Sequence, residues 1–449
     1  MRFLLLVFLA ARLLFGASEI AQIWSNDEIK AHETGEFLRF SLYKLEGNET
    51  GSTLLVVGGV HGDEPGGYFA PALLATRYKI KKGAVWVTPN LNAESIARSR
   101  RGAFGDMNRK FANIAESDRD YDMVREIKKI VLDPQVDLIL NLHDGHGFYR
   151  ERWESSIFNP RAWGQTLVID QKTLADVKFG NMDAIAKKVT DKMSASLAQE
   201  HHFFRVKNTE TRYKDEEMQK SLTYFAVTNL KPAFGQETSK NIDSLAQKVE
   251  YHLRSIEEFM NVMGIEYERD FELSINGVQE ALNHSGTLKI NGKISFELTE
   301  LRNILRFVPL QGDMKDRFVF NNPLGAMKKI DDRYDIYIGN KRISSLYPQF
   351  FAYDCKLDKV TIAIDGENKE VAIGETFALK DSFSVLAVDN IRVNVIGFSK
   401  KGVSDESAVT IRKKDMVSRF SEDVRGLIYR VEFYSEKNFC GMINAKFIK

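Results

Sequence analysis

The sequence of 449 residues has little cysteine and almost no net charge. Its two cysteines, Cys355 and Cys440, are too few for a disulfide-rich scaffold, a four-cysteine zinc site or an iron–sulfur cluster. The formal net charge of +1 leaves no overall basic surface of the kind that binds nucleic acid. What is present, 43% hydrophobic and 28% charged residues, is typical of globular proteins. The length predicts about two to four domains.

Long apolar runs are absent after the N-terminal segment, so no later stretch has the ~20 apolar residues of a membrane-spanning helix. At the N-terminus, Arg2 precedes an apolar run over residues 4–11, and small residues follow at 16–18. This order predicts a secretory signal peptide, cleaved near Ala17. An uncleaved membrane anchor is the alternative. Export would place the two cysteines in an oxidising compartment, where they either form a bridge or remain separate thiols.

Strand and helix patterns alternate in the first third of the chain. The predicted strands are residues 54–57, 84–88 and 136–140, and the predicted helices are residues 68–78 and 121–131. This alternation predicts an α/β sheet with helices on both faces. Ligands of such sheets bind at the carboxyl ends of the strands.

Two further apolar stripes at helical spacing cover residues 182–197 and 245–263, and Gly264 is a plausible C-terminal cap for the second. After Gly264 the pattern predicts only β structure, in two small domains with a boundary near residues 342–347. Strong hairpin-turn signals occur there at Asn276-Gly277, Asn291-Gly292 and Asp365-Gly366.

Candidate metal ligands follow two of the predicted strands. His61 and Glu64 lie three residues apart after the first strand, and His143 follows the third. Imidazole nitrogens and carboxylate oxygens are zinc ligands, and three of them leave a fourth position for water, as in a catalytic site. His146 is the alternative third ligand. His143 taken alone could equally be a core histidine.

A basic cluster and a late carboxylate complete the set of candidates. Arg98 and Arg101 precede Asn108 and Arg109 in the segment between the candidate ligands. Arginine forks bind carboxylates, although such a row is also typical of a solvated surface. Glu237 ends a short predicted strand, where it is either a general base for a metal-activated water or a surface residue.

Together these segments resemble the zinc metallocarboxypeptidases of the pancreatic carboxypeptidase superfamily, over about residues 45–265. The whole chain is most similar to the periplasmic peptidoglycan DL-carboxypeptidases that shape helical Gram-negative cells. The resemblance implies an α/β carboxypeptidase-like domain, a mixed sheet with helices on both faces, followed by two small all-β domains, the last immunoglobulin-like. The implied segments are a signal peptide at 1–17, the zinc carboxypeptidase domain at 18–265, and β domains at 266–345 and 346–449.

The same resemblance implies a role for each matching residue. His61, Glu64 and His143 would bind one Zn²⁺ per chain. Glu237 would be the general base and later the proton donor. Asn108 and Arg109 would bind the substrate's terminal carboxylate. Arg101 would stabilise the oxyanion, with Arg98 as the alternative for that role.

The implied function is zinc-dependent removal of the terminal meso-diaminopimelate from muramyl tripeptide stems of peptidoglycan, which leaves dipeptides and influences cell shape. The implied location is the periplasm, without a stable membrane span once the signal peptide is removed. The segment between Glu64 and His143 is shorter than in pancreatic-type enzymes, and the tyrosine that closes over substrate there is not identifiable, with Tyr213 and Tyr224 as candidates. The alternatives are a zinc amidohydrolase of the succinylglutamate desuccinylase type and a non-catalytic wall-binding protein.

Overall fold

The computed structural model describes residues 21–24, 32–33, 40–195, 197, 199–312 and 316–448. These residues form two compact units. Of the described residues, the first unit contains 21–24 and those from 40 to 278, and the second contains 32–33 and those from 279 onward. The predicted signal peptide at 1–17 lies outside the described residues, and the domain limits at 265 and 345 remain predictions.

Strands and helices alternate over residues 21–283, which form the first unit apart from β2 and the end of α8. In chain order the elements are β1 (Ala21–Trp24), β2 (His32–Glu33), β3 (Phe40–Glu46), β4 (Glu49–Val57), α1 (Gly66–Arg77), β5 (Tyr78–Thr88), α2 (Ala93–Ala97), α3 (Tyr121–Val131), β6 (Leu138–Gly145), β7 (Phe148–Tyr149), β8 (Phe158–Asn159), β9 (Thr166–Ile169), α4 (Met182–Ser194), β10 (Arg205–Asn208), α5 (Thr211–Lys214), α6 (Leu222–Thr228), β11 (Ala233–Ser239), α7 (Leu245–Met263), β12 (Glu266–Arg269) and α8 (Ile275–Asn283).

A nine-stranded mixed sheet forms the centre of the first unit, in the order β1-β3-β5-β4-β6-β11-β9-β10 with β12 beside β5. The central pairs β4–β5, β4–β6 and β6–β11 are parallel, whereas β3–β5 and β9–β11 are antiparallel. Every residue of β6 is buried, so both faces of the sheet are covered at its centre. The predicted mixed α/β sheet is confirmed.

Helix α7 shows how local sequence sets the limits of an element. Ser244 precedes it, and its hydroxyl accepts a hydrogen bond from the backbone N–H of Gln247, as an N-cap does. Gly264 ends it at a φ of 70°, in the left-handed region where glycine carries no steric penalty. The predicted cap at Gly264 is confirmed. Helix α4, predicted to reach residue 197, ends at Ser194.

The described residues after α8 form strands, apart from two short 3₁₀ helices at Lys413–Asp415 and Ser418–Phe420. The strands are β13 (Thr287–Ile290), β14 (Ile294–Glu297), β15 (Ile304–Leu310), β16 (Phe318–Phe320), β17 (Gly325–Ile330), β18 (Arg333–Ile338), β19 (Lys341–Phe350), β20 (Lys359–Ile364), β21 (Glu367–Ala372), β22 (Thr376–Leu379), β23 (Ser382–Val385), β24 (Arg392–Val395), β25 (Ile411–Arg412), β26 (Ile428–Ser435) and β27 (Asn438–Phe447).

Four sheets of four strands make up the second unit, in the orders β14-β13-β16-β2, β15-β19-β18-β17, β21-β20-β23-β25 and β22-β27-β26-β24. The last two share one apolar core, to which β20 contributes Ile362 and β26 contributes Val431, so they form a sandwich. Cys355 and Cys440 form a disulfide at this core, which settles the alternative left open by the sequence. The predicted all-β C-terminal region is confirmed from β13 onward, whereas α8 shows that the expectation of only β structure after Gly264 is wrong for residues 275–283.

Two of the three hairpin signals are confirmed. Asn291-Gly292 and Asp365-Gly366 connect paired strands with positive φ at both residues, as a tight hairpin turn requires. The prediction for Asn276-Gly277 is wrong, because these residues lie in the first turn of α8. The Ser274 hydroxyl accepts a hydrogen bond from the Gly277 N–H there and so supports a helix start. Within the described residues, no helix is both long and apolar enough to cross a membrane.

Candidate metal centre and active site

Three side chains converge at the carboxyl end of the central strands. His61 follows β4, Glu64 precedes α1, and His143 lies within β6 next to β4. The Nδ1 atom of His61 lies 3.0 Å from Glu64 Oε1, and that of His143 lies 2.8 Å from Glu64 Oε2. The two Nδ1 atoms are 3.2 Å apart, and all three side chains are buried. This is the only group of three or more such ligands among the described residues.

The backbone between β4 and Glu64 turns sharply, which brings the side chains of His61 and Glu64 together. Gly59 adopts a φ of 71°, which is unfavourable for residues with a Cβ. Gly62 lies so close to the backbone of Ser95 that a Cβ would come within 1.9 Å of the Ser95 carbonyl oxygen. The Gly62 N–H also donates to the Arg100 carbonyl at 3.0 Å. These contacts hold the loop that carries His61 and Glu64 against the segment that carries Arg98 and Arg101.

Polar partners orient both imidazoles. His61 Nε2 lies 2.8 Å from Asp106 Oδ1, and His143 Nε2 lies 2.8 Å from the side-chain amide of Asn141. Histidines that bind metal show this arrangement, with one ring nitrogen on the ion and the other on a polar partner. The buried Asn141 Oδ1 has no partner among the described residues. Turning this amide over would let Oδ1 accept the Nε2 proton that His143 carries when its Nδ1 binds a metal, so the residues present fit a metal ion.

The charges of the cluster also favour a cation. Although burial opposes ionisation, the neighbouring His61 and His143 hold the pKa of Glu64 well below its usual range. Burial lowers the pKa of His61, but Glu64 and Asp106 outweigh it and raise that pKa to about 9. A negative field that stabilises a proton on His61 also stabilises a divalent ion in its place.

Glu237 lies beside this cluster. Strand β11 pairs with β6 in parallel register, which places Glu237 opposite His143. Desolvation by the surrounding protein and the negative charge of Glu64 raise the pKa of Glu237 well above that of an ordinary glutamate. A carboxyl group with a raised pKa can accept and return a proton near neutral pH, as general acid–base catalysis requires.

Of the candidates for binding negative charge on the substrate, some line the cavity and one does not. Arg101 lies 3.2 Å from Glu64 Oε1 and 2.9 Å from Asp106 Oδ2, and it lines the same cavity as the cluster. Asn108 and Arg109 line this cavity as well. Arg98 pairs instead with Glu94 on α2 and is not among the lining residues.

One cavity of about 140 Å³ contains the cluster, Glu237, Arg101, Asn108 and Arg109. His146 lines it without joining the cluster. The tyrosine candidates do not line it: Tyr213 is exposed, and Tyr224 lines a separate groove beside Arg109.

Sequence reasoning missed several lining and supporting residues. Asp106 was detectable, since it lies two residues before Asn108 in the same short motif. Trp163 had no local signal, because only the packing of distant segments brings it to the cavity, and Lys240 follows Glu237 by three residues without belonging to a motif. The Lys240 Nζ lies 2.7 Å from Asp63 Oδ2 and 3.6 Å from Glu64 Oε1, so it adds a third positive charge to the site.

Comparison with known proteins shows the family. Residues 23–283 match a family model described as the catalytic part of a carboxypeptidase controlling helical cell shape. The chain belongs to this family. Residues 353–448 match the C-terminal domain of metallo-carboxypeptidases. The resemblance drawn from the sequence is therefore confirmed, and the protein is a metallocarboxypeptidase.

Solved structures agree with the family. The apo form of the cell shape determinant protein Csd4 from Helicobacter pylori has a TM-score of 0.86 and 37% identity, covering 91% of this chain and 100% of that chain. The tripeptide-bound form has the same identity, coverage and TM-score. The mDAP-bound form, described as a D,L-carboxypeptidase, covers 90% of this chain and 100% of its own at 37% identity and a TM-score of 0.86. A comparison with curated protein sequences gave no match.

Proposed function

We propose that this metallocarboxypeptidase is a zinc-dependent peptidoglycan DL-carboxypeptidase of the periplasm. It removes terminal meso-diaminopimelate from muramyl tripeptide stems and leaves dipeptides. The observation that carries the proposal is one cavity that combines three metal ligands, a carboxyl group with a raised pKa and several cationic side chains. The related Csd4 has been solved with a tripeptide and with mDAP, which supports the choice of substrate.

The donor set favours zinc, because two imidazoles and one carboxylate are the ligands of many catalytic zinc sites. When bound, zinc supplies Lewis-acid polarisation of the scissile carbonyl and lowers the pKa of a coordinated water. His61, Glu64 and His143 would hold it. Asp106 and Asn141 would keep the two imidazoles in the orientation that ligation needs.

Glu237 moves the proton. Its carboxylate accepts a proton from the attacking water and afterwards donates it to the departing amine of diaminopimelate. The guanidinium of Arg101 stabilises the negative charge that develops on the scissile carbonyl oxygen, a major contribution to catalysis in acyl transfer. Arg101 already lies between Glu64 and Asp106, so these contacts hold it in place before substrate arrives.

Asn108 and Arg109 bind the substrate's terminal carboxylate. The Asn108 amide oxygen accepts a hydrogen bond from the Leu222 N–H at 3.0 Å, which leaves its NH₂ group as the donor for substrate. The Arg109 guanidinium donates to the backbone carbonyl of Asn108 at 3.1 Å, which holds the Arg109 side chain beside the Asn108 backbone. A tripeptide stem rich in carboxylates suits the cationic lining of this cavity.

The test is incubation of the purified protein with muramyl tripeptide, with and without a zinc chelator, followed by mass spectrometry. The expected result is loss of one diaminopimelate per stem, abolished by the chelator and restored by added zinc. Release of succinate from succinylglutamate, without cleavage of the tripeptide, would favour the amidohydrolase alternative. Stoichiometric binding of the muropeptide without hydrolysis, with zinc bound, would favour the wall-binding alternative.

The periplasmic location rests on the predicted signal peptide. Cell fractionation of the full-length protein checks it, with the N-terminus of the mature form determined by mass spectrometry. We expect the processed chain in the periplasmic fraction, beginning near Ser18. A full-length chain in the membrane fraction would instead support the uncleaved anchor.

A further inference from the structure

An apolar groove of about 870 Å³ lies within the second unit. It is bordered by strand β15 and by residues 394–399 and 417–424. Twelve large apolar side chains are exposed among the described residues, and five of them line this groove. The five are Ile304, Phe307, Val417, Phe420 and Val424. Exposed apolar side chains concentrated in one place are typical of binding surfaces.

The backbone at Phe307 has an unfavourable conformation that keeps its ring in solvent. Phe307 has a φ of 55° and is 67% exposed. The register of the β15–β19 pairing also shifts between Leu305 and Val308, so the strand bulges at this residue. Bulky residues rarely adopt positive φ, and such conformations cluster at functional sites. The carbonyls of Arg306 and Phe307 accept hydrogen bonds from the buried Arg430, which accounts for the bulge but not for an exposed aromatic ring on it.

The rim of the groove is positively charged. Four arginines line it: Arg302, Arg306, Arg419 and Arg430. Arg430 is buried and pairs with Glu432, and Arg302 donates to backbone carbonyls, so Arg306 and Arg419 supply the charge that is open to an occupant. Arg306 lies over the Tyr347 ring and Arg419 over the Phe420 ring, and neither forms an ion pair with a described residue. The one acidic lining residue is Glu422, which is buried. Its burial raises its pKa to about 8, so at neutral pH it does little to offset the arginines.

Strand β15 beside the groove favours an extended occupant, because it is the edge of its sheet. Strand β24 is the edge of another sheet, but the N–H groups of its Val393 and Val395 already donate to Asp405 and Glu406. Edge strands are the places where an extended segment of another chain can add to a sheet. Arginine and aromatic side chains are also enriched where proteins bind one another.

We propose that this arginine-rimmed groove docks an extended segment of a partner protein in which acidic residues alternate with aromatic or aliphatic ones. The apolar side chains of the segment pack on Phe307 and Phe420, and its carboxylates pair with Arg306 and Arg419. This binding function lies in the second unit and does not depend on the proposed hydrolysis.

The test uses the full chain and two fluorescent synthetic peptides of nine residues. In one, glutamate alternates with phenylalanine and leucine, and in the other lysine replaces every glutamate. Fluorescence anisotropy should show the acidic peptide binding at least tenfold more tightly than the basic one. Phe307→Asn should weaken binding of the acidic peptide at least tenfold while keeping the fold, since asparagine tolerates positive φ.

Matched variants separate the groove from general surface effects. Phe350→Asn removes another exposed phenylalanine, and Lys401→Glu reverses another exposed charge; neither residue is among those that line the groove. Both should bind the acidic peptide like the wild type, whereas Arg419→Glu should lose at least tenfold in affinity. If Phe307→Asn fails to fold, the comparison of Arg419→Glu with Lys401→Glu decides.

Several results would overturn the proposal. These are equal binding of the two peptides, no binding of either, or binding that the groove variants leave unchanged. It would also fail if Phe307→Asn abolished self-association seen by sedimentation, because the occupant would then be a second copy. Groove-dependent binding of anionic lipid vesicles or of glycan strands in preference to the peptide would overturn it too. Muramyl tripeptide cleavage should be the same in Phe307→Asn and wild type, so failure here is distinguishable from failure of the proposed catalysis.

Discussion

The two glutamates that line one cavity have pKa values shifted in opposite directions. The neighbouring imidazoles lower the pKa of Glu64, whereas desolvation and the charge of Glu64 raise the pKa of Glu237. When neighbouring titratable groups have pKa values shifted in opposite directions, the pair separates into a permanently charged group and a proton carrier. Here the charged member suits metal binding, and the proton carrier suits general base catalysis.

Glu237→Gln should therefore keep the metal and lose turnover. Glutamine preserves the shape of the side chain but cannot accept a proton from water, so we expect kcat to fall by about 10²–10⁴-fold. Metal content by mass spectrometry and release of diaminopimelate are the two measurements. Glu200→Gln, which changes an exposed glutamate of the same unit, is the control. Near-normal activity of Glu237→Gln would remove this residue from the mechanism.

Asp106→Asn should weaken metal binding without changing any ligand. The carboxylate contacts His61 Nε2 at 2.8 Å and so fixes the ring and increases its basicity. Loss of such a partner typically costs about 10–100-fold in metal affinity. Competition with a chelating dye measures the zinc Kd, and Asp122→Asn on the exposed face of α3 is the control. An unchanged Kd would show that His61 is held by its loop alone.

The residue scale also shows what a sequence can reveal about a site. His61, Glu64 and His143 were predictable because they lie in or shortly after strands that the sequence shows as apolar runs. Trp163 was not, because nothing near it in the chain signals chemistry, and Lys240 was not, because it belongs to no motif although it follows Glu237 by three residues. Only tertiary packing brings them to the cavity.

At the scale of elements, Gly264 gives a sharp test of a cap that the sequence predicted. Its φ is 70°, and a Cβ added there would meet nothing within 4 Å. Gly264→Ala should therefore destabilise the first unit by about 1 kcal/mol through backbone strain alone. Gly264→Asn should cost less, because asparagine tolerates the left-handed region. Chemical denaturation measures both, and equal losses in the two variants would argue against strain as the cause.

Glu422 in the second unit predicts a pH-dependent stability. Burial is the main cause that raises its pKa from 4.5 to about 8. Between these values the folded state binds more protons than the unfolded state, so its contribution to the free energy of unfolding falls as the pH rises. The loss is complete above about pH 8 and is of the order of a few kcal/mol.

Glu422→Gln removes this titration. The variant should be more stable than the wild type at pH 8 and close to it at pH 4.5, by thermal unfolding of the second unit. Glu367→Gln, at an exposed position of β21, is the control and should leave the pH profile unchanged. A parallel pH profile for Glu422→Gln and wild type would show that this carboxyl group is already ionised in the folded protein.

Elements were predictable where local signals and tertiary packing agree. Asn291-Gly292 and Asp365-Gly366 each connect two antiparallel strands that pair directly, so the local turn signal agrees with the strand pairing. Asn276-Gly277 carries the same signal, but Ser274 provides a helix cap that no dipeptide rule includes. The groove around Phe307 was not predictable either, because it depends on a bulge and on segments more than a hundred residues apart.

For the whole molecule, the disulfide is the covalent link whose removal is simplest to interpret. Cys355 and Cys440 are separated by 85 residues, and Cys440 is fully buried in the sandwich core. A bridge over such a long loop restricts the unfolded chain strongly and typically stabilises by about 2–4 kcal/mol. The double variant Cys355→Ser, Cys440→Ser should therefore lower the Tm of the second unit by about 5–15 °C.

The metal centre reports whether the effect stays in that unit. Its ligands all belong to the first unit, so the zinc Kd of the double variant should equal that of the wild type. A reducing agent should lower the wild-type Tm to that of the variant and leave the variant unchanged, which separates loss of the bridge from loss of packing by the serines. If reduction leaves the wild-type Tm unchanged, the bridge contributes nothing to stability, and the buried sulfur of Cys440 acts only as a core side chain.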